Sequence, residues 1–114
     1  MRLNKVLIQG RLGGDPEITE MENGTKRATF SVAVDAGYKD DAGEWQNEVD
    51  WVRVVTFREK LIDKTLSEPG LKGRLAFIDG QLKTRSYEKD GKPQYMTEVQ
   101  VGTYGTIALV NDSK

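Results

Sequence analysis

Trp51, Arg53 and Phe57 fall at alternate positions of the run Asp50-Trp51-Val52-Arg53-Val54-Val55-Thr56-Phe57. If that run is a strand, Trp51, Arg53, Val55 and Phe57 share one face and Val52, Val54 and Thr56 the other. An unpaired guanidinium is almost never fully buried, so the Arg53 face looks outward and carries Trp51 and Phe57 with it. The smaller branched side chains are left for the core. Soluble proteins rarely expose two large rings beside a cation without a ligand for them. A nucleobase that stacks on the ring while its phosphate meets the arginine fits this surface.

The combination recurs. Gln81, Lys83, Arg85 and Tyr87 alternate along a later segment, with Leu82 and Thr84 between them. At strand spacing, side chains two residues apart lie about 7 Å from one another. A charged stripe is often only a solvated edge, but the repeated pairing of ring and cation favours a binding surface. A third set, Tyr38, Lys39 and Trp45, lies in the polar, glycine-bearing segment 36–49. Each of its rings either packs back on the sheet or stands on a protruding loop or ragged hairpin that can wrap a flexible ligand.

The elements that must position these residues are mostly strands. Residues 4–12 alternate, with Val6 and Ile8 on one side and Lys5, Leu7, Gln9 and Arg11 on the other, and Gly10 marks a bulge or sharp coil of the kind small barrels use at a corner. The glycines from Gly10 to Gly14 do not make a phosphate loop, because the Gly-Lys-Ser/Thr ending is missing and no helix follows. Asn23-Gly24 signals a hairpin turn into a strand over 27–35, where Ala28, Phe30, Val32 and Val34 face the core. After the Trp51 strand, Leu61, Ile62 and Leu66 have the spacing of a helix face over 58–66, stopped at Ser67-Glu68-Pro69-Gly70. Leu75-Ala76-Phe77-Ile78 is an apolar run suited to a central strand, with a second bulge at Gly80. Asp90-Gly91 turns the chain into a last strand over 95–101, and residues 102–114 read as a short, weakly structured end. Five strands, one helix between the third and fourth, and glycine corners in the first and fourth predict an all-β, five-stranded Greek-key barrel of the OB type.

Composition narrows the chemistry. A length of 114 residues suits one domain, taken as 1–107 with a short end at 108–114. The absence of cysteine and histidine excludes disulfides, thiolate or imidazole metal sites and the usual histidine-activated nucleophiles. Asp15, Glu48, Asp50 and Asp79 show no catalytic pairing or metal spacing, so neither an enzyme nor a cofactor is expected. The start, Met1-Arg2-Leu3-Asn4-Lys5, has no signal-peptide apolar region and no run approaches a membrane span, which predicts a reducing cytoplasm. Net charge is −1, yet residues 53–92 carry 10 basic and 6 acidic groups against 6 and 10 in residues 1–52. The local potential along a groove, rather than the total charge, governs polyanion binding.

With the whole chain read, its segments resemble those of the bacterial single-stranded DNA-binding protein family from about Leu3 to Thr106. The likeness rests on Leu3-Asn4-Lys5-Val6-Leu7-Ile8-Gln9-Gly10-Arg11-Leu12-Gly13 followed by Asp15-Pro16-Glu17, and on Asn23-Gly24 before Phe30-Ser31-Val32-Ala33. Trp51-Val52-Arg53-Val54-Val55 with Phe57, Ile78-Asp79-Gly80-Gln81-Leu82-Lys83-Thr84-Arg85 and Thr97-Glu98-Val99 complete it. The resemblance implies an OB-fold subunit without catalytic activity. It is expected to form a homotetramer that coats single strands in the bacterial cytoplasm or nucleoid during replication, recombination or repair. Family stacking positions carry over onto Tyr38, Trp51, Phe57 and Tyr87, two of them tyrosine where tryptophan is common. Val52 stands where the family often has a histidine that supports subunit association. The family's flexible linker and acidic tail have no counterpart before Lys114, which predicts DNA binding without recruitment of replication and repair enzymes. A phage or mobile-element version, or a trimmed chain, has this form.

On this reading Trp51, Phe57, Tyr87 and Tyr38 stack on successive bases, with Trp45 beside them on the loop. Arg53, Lys83, Arg85, Lys5, Arg11 and Arg58 neutralise phosphates. Two rivals remain: a primosome-type OB module that acts mainly through a protein partner, and an interaction module whose exposed rings are its own oligomer interface.

Overall fold

The computed structural model describes residues 3–110. Their strands are β1 (Val6–Leu12), β2 (Glu17–Glu20), β3 (Lys26–Asp35), β4 (Tyr38–Lys39), β5 (Trp45–Gln46), β6 (Val49–Thr56), β7 (Leu75–Lys89), β8 (Lys92–Val101) and β9 (Thr106–Val110). A single helical turn, α1 (Glu59–Leu61), continues as a π-helical turn over Ile62–Leu66. The main sheet runs β1-β3-β6-β8-β7-β9, and β1 also pairs with β7, which closes the ring. The closed strands β1, β3, β6, β7 and β8 are the five expected from alternation, and the helical segment lies between the third and fourth. This is the OB-type Greek-key barrel.

Alternation fills the interior. Leu12, Ala28, Phe30, Val32, Val54, Ile78, Val99 and Val101 are buried in one cluster, joined by Ile62 and Leu66 from the helical segment and by Leu71 beyond it. β1 closes the barrel by changing partners within its length: Val6 to Arg11 pair with β7, and Arg11 and Leu12 with β3. Gly10 sits at that corner, where a Cβ would run into the Ala33 carbonyl and lie 2.7 Å from Val32 Cγ1. Gly80 does the same for β7, which leaves β1 and β9 there and continues with β8.

Past the corner, β7 and β8 run on as a long antiparallel hairpin to Lys89 opposite Lys92, turned by Asp90 (φ 55°) and Gly91 (φ 76°). Both turn residues occupy the left-handed region that a two-residue primed turn requires. This projecting arm fits a radius of gyration of 16.0 Å, against about 13 Å for a compact chain of this length.

Four expectations need correction. Residues 102–110 are not weakly structured: β9 pairs with β7 from Leu75–Val110 to Asp79–Thr106, and Ile107 is buried in the core. Its Ile107 and Leu109 alternate inward, a short pattern that the turn at Gly102-Thr103-Tyr104-Gly105 separates from β8. Asn111 to Lys114 lie outside the described residues. β1 begins at Val6 rather than Asn4, because the Asn4 side chain takes the place of a ladder pair, donating to the Leu82 carbonyl at 2.9 Å and accepting its N–H at 2.8 Å. The segment 58–66 is an α turn that widens into a π turn instead of a uniform helix, ended by Ser67 Oγ donating to the Ile62 carbonyl at 2.7 Å. Val55 shares the outward side of β6 yet is buried, since it lies mid-sheet between Thr29 on β3 and Gln100 on β8.

Candidate nucleic-acid interface

The outward side chains of β6, β8 and β7 form one continuous surface. β6 and β8 pair in parallel with Val55 opposite Gln100, while β8 and β7 pair antiparallel with Glu98 opposite Lys83 and Gln94 opposite Tyr87. Two-residue periodicity then brings Trp51 and Arg53 from β6, Met96 and Glu98 from β8, and Lys83, Arg85 and Tyr87 from β7 to the same side.

Glu98 is the centre of this surface. Only 7% exposed, it accepts Arg53 Nε at 2.9 Å on Oε2 and Arg85 Nε at 3.0 Å on Oε1. One carboxylate therefore ties β6 to β7 across β8. The two arginine side chains stay 39% and 42% exposed. Their Nε atoms are engaged by Glu98, which leaves the Nη groups of Arg53 and Nη1 of Arg85 as the donors available to an anion. Arg85 also reaches Met96 Sδ at 3.5 Å and stands with Cζ 5.9 Å from the Tyr87 ring centroid, within cation–π range.

Trp51 is 63% exposed. Its ring lies over Gly13, where a Cβ would come 2.5 Å from Trp51 Cζ3. The absence of a side chain at Gly13 thus sets the ring's resting place. Beside the ring runs an open groove of about 400 Å³ lined by Gly14, Asp15, Glu17, Thr29, Ser31 and Arg53 among others. Asp15 is already engaged, accepting the N–H groups of Leu71 and Lys72 at 2.9 and 3.0 Å. Phe57, just past the end of β6, is 44% exposed.

Tyr38 and Trp45 sit on β4 and β5, which make a two-stranded sheet apart from the barrel. Of the protruding loop or ragged hairpin expected over 36–49, the chain forms the hairpin. Trp45 rests on Gly37 at the hairpin's own base, and its Nε1 donates to Asn47 Oδ1 at 2.8 Å, so it packs on the hairpin and not on the barrel sheet. The tip is tied by Asp40, whose Oδ1 accepts from Ala42 and Glu44 and whose Oδ2 accepts from Gln46. The Glu44 N–H in particular holds the Asp40 carboxyl below its ordinary range. Tyr38 remains 47% exposed.

The other three cations named from sequence are held by the protein at separate places. Lys5 pairs with Asp79 at 3.0 Å. Arg11 donates to the Gly73 carbonyl at 3.1 Å. Arg58 Nη1 donates to the Gly105 carbonyl at 2.7 Å and the Gly102 carbonyl at 3.3 Å, fastening the turn between β8 and β9. Sequence reasoning missed Gly13 as the rest for Trp51, Glu98 as the shared partner, and Arg27, whose buried Nε has no hydrogen-bond partner. Alternation along 95–101 does place Glu98 outward with Gln100, but its two partners belong to strands 13 and 45 residues away.

The single-strand binding protein family matches the chain over residues 3–107. The chain is 40% identical over 99 residues to Single-stranded DNA-binding protein 1 of Chlorobaculum tepidum, covering 85% of this chain and 60% of that protein. It is 42% identical over 101 residues to Single-stranded DNA-binding protein 2 of Streptococcus agalactiae, covering 89% of this chain and 74% of the relative. In three dimensions it is similar to a chain of the Plasmodium falciparum SSB complex with ssDNA, with a TM-score of 0.87, 29% identity and 97% of both chains covered. A match over nearly the whole described barrel, together with identities at this level, shows that the chain belongs to the single-strand binding protein family.

Proposed function

We propose that this chain binds single-stranded DNA without sequence preference, by stacking bases on Trp51 and Tyr87 and meeting phosphates with Arg53, Arg85 and Lys83. The observation that carries this reading is the line of ring, guanidinium, guanidinium and ring across β6, β8 and β7 on one open face. A stacked base contributes about 1 to 3 kcal/mol and each neutralised phosphate about −0.7 to the slope of log affinity against log salt. Phe57, and Tyr38 and Trp45 on the hairpin, extend the stacking surface, while Lys5, Arg11 and Arg58 supply charge at its margins. The groove beside Trp51 has carboxylates at its rim, so it suits an uncharged base better than a phosphate. Duplex DNA binds poorly on this mechanism because its bases already stack on one another.

The chain acts in the cytoplasm, where DNA and its copying and repair machinery meet, and it self-associates. Among the described residues no helix is long and apolar enough to cross a membrane. Exposed Leu7, Phe77 and Val110 lie on the outward face of adjacent β1, β7 and β9, an apolar strip that supports packing of one subunit on another and the tetramer expected for the family. Sedimentation equilibrium gives the subunit count.

Intrinsic fluorescence from Trp45 and Trp51 tests the binding reading. Titration with oligo-dT is expected to quench it strongly at low salt and less as salt rises, with little effect from duplex DNA, and Trp51→Ala is expected to remove most of the response. Equal responses to single and double strands, or none to either, would overturn the mechanism.

A further inference from the structure

Glu98 is a carboxylate set into the middle of a surface proposed for a polyanion. It is nearly buried, and it engages both arginines that flank it. We propose that Glu98 is a positioning residue and an electrostatic brake: it holds Arg53 and Arg85 in place on this face while cancelling one of their two charges, holding single-strand affinity below what the face could reach. This inference rests on the single-strand reading above.

The geometry gives the reason. Each guanidinium meets Glu98 through Nε, which orients both planes and leaves the Nη groups of Arg53 and Nη1 of Arg85 for a phosphate. Trp51 lies two residues before Arg53 on β6 and Tyr87 two residues after Arg85 on β7, so each arginine held by the carboxylate stands beside a stacking ring. The trio presents one net positive charge where two arginines stand. A phosphate approaching either arginine meets a repelling carboxylate behind it, and fewer counterions are released than two free arginines would release.

The test is fluorescence anisotropy of labelled oligo-dT with the whole chain at several salt concentrations, comparing wild type, Glu98→Gln and Glu98→Gln/Arg85→Gln. Glutamine keeps the size of Glu98 and removes its charge. Glu98→Gln is expected to steepen the slope of log affinity against log salt by about 0.7. If the two proteins converge near 1 M salt, that slope corresponds to binding about eightfold tighter at 50 mM and about threefold tighter at 200 mM. The double variant restores the trio's net charge of one, so it is expected to keep the wild-type slope despite losing an arginine. It also removes Arg85 together with the charge Arg85 compensates, so it tests the idea even where Glu98→Gln alone fails to fold by circular dichroism. An unchanged or shallower slope in folded Glu98→Gln, or a slope shallower by about 0.7 in the double variant, would overturn the brake. Those outcomes require wild-type binding. A wild-type protein that ignores oligo-dT would overturn the single-strand reading itself and this inference with it.

Discussion

Gly13→Ala is expected to weaken single-strand binding without weakening the fold. A Cβ at this position would lie 2.5 Å from Trp51 Cζ3 and 3.1 Å from Cη2, whereas ordinary carbon contacts begin near 3.4 Å. The ring must therefore swing outward by about 1 Å, the shortfall from the ~3.5 Å optimum for non-bonded carbons. The atoms that must yield are the far end of an exposed side chain, and the backbone at Gly13 does not adopt a positive φ, so the change in stability is expected within about 0.5 kcal/mol. The Gly13 N–H keeps its bond to the Ser31 carbonyl at 2.8 Å. Binding is different, because a displaced ring loses part of a stacking contribution of about 1 to 3 kcal/mol. A loss of about 1 kcal/mol corresponds to roughly fivefold weaker affinity for oligo-dT. Anisotropy gives the affinity and thermal unfolding gives the stability. A double-mutant cycle isolates the cause: in a Trp51→Ala background, Gly13→Ala is expected to cost nothing further. Full additivity of the two substitutions would refute the argument that Gly13 acts through the ring.

The remaining expectations separate barrel from surface. Gly10→Ala places a Cβ against the Ala33 carbonyl, which cannot swing away, so a loss of about 3 kcal/mol or more in thermal or urea unfolding is expected and a wild-type midpoint would contradict the corner assignment. Arg58→Ala releases two backbone carbonyls in the turn between β8 and β9 and is expected to cost about 1 to 2 kcal/mol of stability, and, because its charge stands only at the margin of the face, to make the salt slope of binding only slightly shallower. Lys83→Ala is expected to do the reverse, leaving the unfolding midpoint in place and making the slope shallower by about 0.7. The lowered Asp40 carboxyl means the folded hairpin prefers the ionised form. Its contribution is present above the ordinary value of 3.8 and is lost as pH falls through the lower folded value. Protection of the Glu44 amide, taken relative to its intrinsic exchange rate, is expected to fall below that pH, and Asp40→Asn is expected to abolish most of that pH dependence.

Alternation was enough to read much of the barrel. Ala28, Phe30, Val32 and Val54 are buried where period two placed them, because a strand with one wet face has only one workable register. Gly10 and Gly80 were legible as corners because a missing side chain inside an apolar strand needs a reason. The exposed rings at Trp51 and Tyr87 were legible for a similar cause, as large apolar groups on faces that a cation forces outward. β9 was not legible, since five residues after a turn carry too short a pattern, and what stabilises them is a pairing with Leu75 to Asp79 some thirty residues earlier. The division of labour among the cations was equally hidden. Arg53, Arg58 and Lys5 look alike in sequence, yet the first shares a buried carboxylate with Arg85, the second fastens a turn, and the third pairs with Asp79. Residue type and periodicity settle which side of a strand is wet and what chemistry stands on it. Which charges are already satisfied depends on partners brought together only by barrel closure, and that pairing is a property of the tertiary structure.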